Sequence, residues 1–158
     1  GELKAGWRVA IALLAHERLG TAIPQLLFEA IDRVKKVAKT TGAINDPYFR
    51  ERLAETDIDT VGFAAMFARA AEIANAERSL GLDASVMKIH GTEILQRICD
   101  LLLEAAGTNA SILERIETDD GPVEIAPLFL QVRRATIYGG SSEIQRNIIS
   151  KRILGLPT

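Results

Sequence analysis

Apolar residues recur at three- and four-residue intervals along almost the whole chain, a helical period, and strand-like alternation is nearly absent. Ala10, Leu13, Leu14, Glu17 and Thr21 share one face, so a carboxylate projects from a mainly apolar stripe. Pro24 interrupts the pattern. Its ring would clash with the carbonyl of Gly20, which predicts a kink just beyond Glu17 before the stripe resumes at Leu27, Ile31, Val34 and Ala38. "TTGAIND" is turn chemistry, and Asp46 followed by Pro47 starts a second helix. Its inner face is Phe49, Leu53, Thr56, Thr60, Phe63, Phe67 and Ala74, with Gly81 as the stop. Asp83 or Ser85 caps a third helix carrying Val86, Ile89, Ile94, Ile98, Leu101 and Leu102 to Gly107. The polar stretch "TNASILERIETDDG" reads as a long loop with one turn of helix. Pro122 then starts a fourth helix, distorted by Pro127 and running to about Thr136. Ser142 and Gln145 have capping-box spacing for a last helix that carries Ile144, Ile148 and Ile149. The expected fold is all-α, a helical bundle with a four-helix up-and-down core and one or two extra short helices.

A chain of 158 residues fits one domain with a real core. Nineteen Lys plus Arg against 21 Asp plus Glu give a net charge of -2, which favours neither nucleic acid nor an anionic membrane. The longest apolar runs fall short of the ~20 residues of a membrane-spanning helix, so a soluble protein is expected. The single cysteine, Cys99, excludes an intrachain disulfide and a thiolate metal cluster, and its apolar run predicts a buried, inert thiol. His16 and His90 lack metal-ligand spacing and read as ordinary helix residues, and Trp7 as a packing residue at a domain boundary. Arg146, Lys151 and Arg152 form a solvated face or a subunit contact. The chain lacks an initiator Met and enters a helical pattern at once, so a piece of a longer polypeptide, with domains upstream, is expected.

Two features carry candidate chemistry. "YGGSSEIQR" puts two glycines before a helix start, where backbone amides and the dipole favour an anion or a developing negative charge. A tight interhelix turn with a good cap accounts for the same residues. Glu17 on its apolar stripe is either a working carboxylate or the ion-pair partner of Arg18, Arg8 or a basic residue on another helix.

"ATIYGGSSEIQRNIISKRILGLP" resembles the C-terminal signature of the acyl-CoA dehydrogenase family, and "GELKAGWRVAIALLAHER" resembles the pattern that opens the same domain in that family. These flavoproteins oxidise acyl-CoA thioesters to trans-2-enoyl forms. The resemblance implies that residues 1–158 are the family's C-terminal helical domain, which in the family follows a helical domain and a β-barrel domain. It also implies FAD as cofactor, acyl-CoA as substrate, an electron-transfer flavoprotein-type acceptor, and a homo- or hetero-oligomer. The setting it implies is the bacterial cytoplasm, or the mitochondrial matrix in a eukaryote.

In the family a carboxylate takes the proton alpha to the thioester carbonyl while the beta hydrogen leaves as hydride to the flavin. Many members carry that glutamate directly after the tyrosine of a Tyr-Glu-Gly turn, but here the turn is Tyr138, Gly139, Gly140. Members similar to isovaleryl-CoA dehydrogenase place it on the first helix beside an arginine, a position that falls on Glu17, followed by Arg18. The resemblance therefore implies Glu17 as the base. It implies acyl-CoA contacts at Leu14, Ala15, Arg18, Gly139 and Gly140, and FAD contacts at Ser141, Ser142 and Glu143. Two family elements that contact flavin differ here: the arginine-containing segment after the first helix is "KTTGAINDPYF", and the glycine-rich element after the third is "AAGTNAS". A non-catalytic dehydrogenase-like subunit of a hetero-oligomeric complex is the other reading.

Overall fold

The computed structural model describes residues 6, 7, 9, 10, 20, 23–75, 83–111 and 115–157. Leu13, His16, Thr21 and Gly81 lie outside them. Trp7 is 75% exposed, so the packing expected of it is not made among the described residues.

Helix α1 is Pro24–Thr41. Ile23 before it is extended, with ψ 147°, and the proline occupies the first turn, where its missing N–H costs no intrahelical bond. Pro24 therefore opens a helix, where the sequence suggested a kink inside one. Leu27, Ala30, Ile31, Val34, Val37 and Ala38 face the core, each larger side chain contributing about 1.5–3 kcal/mol by burial. Gly42 ends the helix at φ 84°, a left-handed conformation that favours glycine. After a 3-10 turn at Ala43–Asn45, Asp46 Oδ1 accepts from the Tyr48 amide at 3.0 Å and starts α2, Pro47–Asn75.

The α2 face runs as the spacing predicts through Phe49, Leu53, Thr56, Thr60 and Phe63. Two threonines are tolerated there because Thr56 donates to the Arg52 carbonyl at 2.8 Å and Thr60 to the Thr56 carbonyl at 2.9 Å. His90 packs edge-on against Phe63, with ring centroids 6.0 Å apart, as an ordinary helix residue. Helix α3, Asp83–Ala106, is the central element: α1 and α2 pack against it, and so do the two later helices. Its buried face includes Met87, Lys88, Ile94, Ile98, Cys99 and Leu102, while Val86 sits at the exposed edge.

Beyond α3 the structure corrects the expected loop. Gly107–Ser111 is a 3-10 helix, and strands β1 (Arg115–Thr118) and β2 (Gly121–Glu124) form an antiparallel hairpin that pairs Arg115 with Glu124 and Ile116 with Val123. Gly121 turns the chain at φ 109°, and Thr118 Oγ1 donates to the Gly121 carbonyl at 2.7 Å. Pro122 thus lies in a strand that has a partner on one side only, where its missing donor is tolerated. Helix α4 starts later, at Ala126–Val132, with Pro127 in its first turn, and continues as a 3-10 helix over Arg133–Thr136. Helix α5 is Ser142–Arg152. Its N-cap is Ser141, one residue before the expected Ser142, and Ile144 is exposed while Ser142 and Gln145 are buried. The helical bundle read from the periodicity is the fold, with this hairpin added.

Candidate functional site

The turn between α4 and α5 is held from beneath by polar side chains that the core would otherwise exclude. Lys88, at 1% exposure on α3, donates from Nζ to the Thr136 carbonyl at 2.8 Å. Ser142 Oγ reaches the same carbonyl at 3.4 Å, and Gln96 Nε2 donates to Thr136 Oγ1 at 3.3 Å. Gln145, fully buried, donates from Nε2 to the carbonyls of Gly139 at 3.0 Å and Gly140 at 3.3 Å. Among the described residues its Oε1 has no partner. The carbonyls of the turn are thereby engaged from inside the protein.

The amides fare differently. Gly139 and Gly140 adopt φ 66° and 91°, and the N–H groups of Gly139, Gly140 and Ser141 make no hydrogen bond among the described residues. A Cβ at Gly140 would lie 2.7 Å from Gln145 Nε2, so the bond that ties the turn down also requires glycine there. Three donors without a partner among the described residues, at the start of an eleven-residue helix, suit an electron-rich oxygen. Ser141 Oγ accepts from the Ile144 amide at 3.5 Å. The Ser141 hydroxyl, then the residue's own backbone amide, hold the Glu143 carboxyl below the usual carboxylate range. Burial pushes the Lys88 ammonium below the usual lysine range, with Glu143 and Glu93 acting against the shift and Arg146 with it. Arg146 pairs with Glu93 on α3.

Of the residues singled out in sequence, Gly139, Gly140, Ser141, Ser142 and Glu143 come together in this one turn. Leu14, Ala15, Glu17 and Arg18 lie outside the described residues. Ser142 is buried with its hydroxyl turned inward, so only its backbone faces a ligand. Sequence reasoning missed Lys88 and Gln96 and gave Gln145 a capping role instead of its bonds to the glycine carbonyls; the signal was a polar residue at a buried helical register. Cys99 is the inert thiol expected, fully buried and pushed up to about 11 by that burial.

On the other side of Tyr138 a cavity of about 810 Å³ opens between the first half of α1, the hairpin and α4. Ala30, Leu95, Val123 and Val132 supply apolar wall, and Arg33, Arg115 and Arg134 stand around it. Gly20 also borders it. No group of side chains among the described residues has the makings of a metal site, and no described helix is long and apolar enough to cross a membrane.

The chain is 36% identical over 159 residues to acyl-CoA dehydrogenase IpdE1 of Mycolicibacterium smegmatis, an alignment that covers 99% of this chain and 38% of that protein. It therefore spans well under half the length of this relative. Among solved structures, the Tcur3481-Tcur3483 steroid ACAD superposes with a TM-score of 0.83 at 25% identity, over 99% of this chain and 41% of the other. The ChsE4-ChsE5 complex from Mycobacterium tuberculosis gives 0.75 at 28% identity, over 100% and 42%. The family model described as the C-terminal domain of acyl-CoA dehydrogenase matches residues 4–154, from ahead of the first helical stripe to beyond the glycine turn, and the chain belongs to that family.

Proposed function

We propose that this chain is the C-terminal helical domain of an FAD-dependent acyl-CoA dehydrogenase, converting an acyl-CoA thioester to its trans-2-enoyl-CoA together with an N-terminal helical domain and a β-barrel domain. The observation that carries the reading is the Tyr138–Glu143 turn, where the Gly139 and Gly140 carbonyls are engaged from inside while the amides of Gly139, Gly140 and Ser141 make no hydrogen bond among the described residues. Gly139 stands where many members carry their base, so the base comes from elsewhere. Glu17 takes that role, supported by its place on the first helical stripe beside Arg18. It removes the alpha proton, and Leu14, Ala15, Arg18, Gly139 and Gly140 border the acyl-CoA.

FAD fits the outer side of the turn. The turn's amides meet acceptor atoms, and the Glu143 carboxylate, which already accepts from the Ser141 hydroxyl, meets a hydroxyl; a phosphate directly against it would be repelled. Ser142 contributes through its backbone alone. When bound, FAD supplies the acceptor for the beta hydride. An electron-transfer flavoprotein-type acceptor, an oligomer of dehydrogenase subunits, and a cytoplasmic or mitochondrial-matrix setting complete the proposal.

The test is Glu17→Gln in the full-length enzyme. FAD and acyl-CoA binding are expected to survive, while flavin reduction falls roughly 10²- to 10⁴-fold, the usual worth of a positioned general base. A normal reduction rate would remove Glu17 from the role. A second reading, a subunit that contributes only part of a site, draws on the glycine at 139 and on likeness to a complex of two named proteins. Flavin content per assembled complex separates the two, since a non-catalytic subunit leaves fewer flavins than dehydrogenase chains.

A further inference from the structure

Building on that reading of the turn, we propose that the cavity beside Tyr138 receives the far end of a bulky acyl group terminating in a carboxylate. The cavity is bordered by Tyr138, which immediately precedes Gly139 of the turn, and by Gly20. An acyl group whose alpha carbon sits at the turn therefore has this space next to it. At about 810 Å³ it lies in the upper part of the range, roughly 300–1,000 Å³, that holds drug-sized molecules. A short straight chain would leave most of it unfilled.

The walls specify the chemistry. Ala30, Leu95, Val123 and Val132 are buried and apolar, so they suit hydrocarbon. Among the described residues three arginines line the space against the single carboxylate of Glu124. Arg115 is taken, paired with Glu124 at 2.9 Å. Arg33 and Arg134 meet no carboxylate among the described residues, and the Arg134 guanidinium lies 5.1 Å over the Tyr138 ring, a stacking that leaves its N–H edge for a ligand. Two guanidinium forks without a carboxylate among the described residues, beside an apolar chamber, match a hydrocarbon body with an anionic end.

The phosphates of coenzyme A share that anionic chemistry, and the experiment distinguishes the two sources. In the complete flavoenzyme, flavin bleaching is measured with decanoyl-CoA and with the mono-CoA thioester of decanedioic acid, which differ only at the far end. We expect a higher kcat/KM for the carboxylate-ended thioester. In Arg33→Gln and Arg134→Gln that preference should fall roughly 10- to 100-fold, the usual weight of hydrogen bonds to a charged group. Both arginines are exposed, so loss of folding does not confuse the result. An equal loss for both thioesters assigns the arginines to coenzyme A and overturns the proposal, as does a preference the variants leave unmoved. If neither thioester perturbs the flavin, the dehydrogenase reading falls and this inference with it.

Discussion

Lys88 carries its ammonium into an interface with 1% of its surface exposed, and its Nζ finds a carbonyl there. Burial depresses its pKa below the unfolded value of 10.5, ahead of the opposing pull of Glu143. The sign follows from proton counting. Between the folded and unfolded pKa the unfolded chain binds more protons, so stability rises with pH through the window below 10.5, and below that window the charged lysine opposes folding. Lys88→Met is therefore expected to melt no lower than the parent at pH 7, with its advantage shrinking as the pH approaches 10.5. A melting temperature several degrees lower at every pH would mean that the bond to Thr136 outweighs the cost of burial. This residue also shows a limit of sequence reading. A charge inside "ASVMKIHG" looks like solvent exposure, so the inner face was drawn through Val86 and Ile89, whereas Met87 and Lys88 are the residues that turn inward. Gln145 was misplaced in the same way, as a capping side chain, because nothing in the local spacing announces two carbonyls waiting for an amide.

At the scale of elements, the start of α5 makes two different demands on neighbouring residues. Gly140 must accept φ 91° and leave room for Gln145, so Gly140→Ala is expected to lose more than about 1 kcal/mol in chemical denaturation, strain and crowding adding together. Ser141→Ala removes only the cap, worth about 1 kcal/mol. If Gly140→Ala proves the milder of the two, Gln145 does not fix the turn as described. Gly139 at φ 66° bears on the family's usual arrangement, since any side chain there must sit in a left-handed conformation. The long helices were legible because their stripes repeat over several turns. The hairpin was not: its strands have four residues each and set only Ile116 and Val123 inward as a pair, too few to register as alternation. The Asp119, Asp120, Gly121 turn was the available signal, and Pro122 masked it by resembling a helix start.

At the scale of the molecule, the bundle and the family were readable from local patterns near both ends of the chain. The cavity was not, because its walls come from α1, Leu95 of α3, the hairpin and α4, segments brought together only by folding. The same assembly rests on one element. Helices α1, α2, α4 and α5 all lean on α3, while the hairpin has one exposed face and touches α1. Hydrogen exchange should reveal this hierarchy. Amides of α3 are expected to exchange only when the whole bundle opens, and those of β1 and β2 through local opening at a much smaller free energy. Equal protection of α3 and the hairpin would contradict it. On that expectation the central helix is the cooperative unit of the domain, and the hairpin side of the cavity opens without loosening the turn that Lys88 holds from that helix.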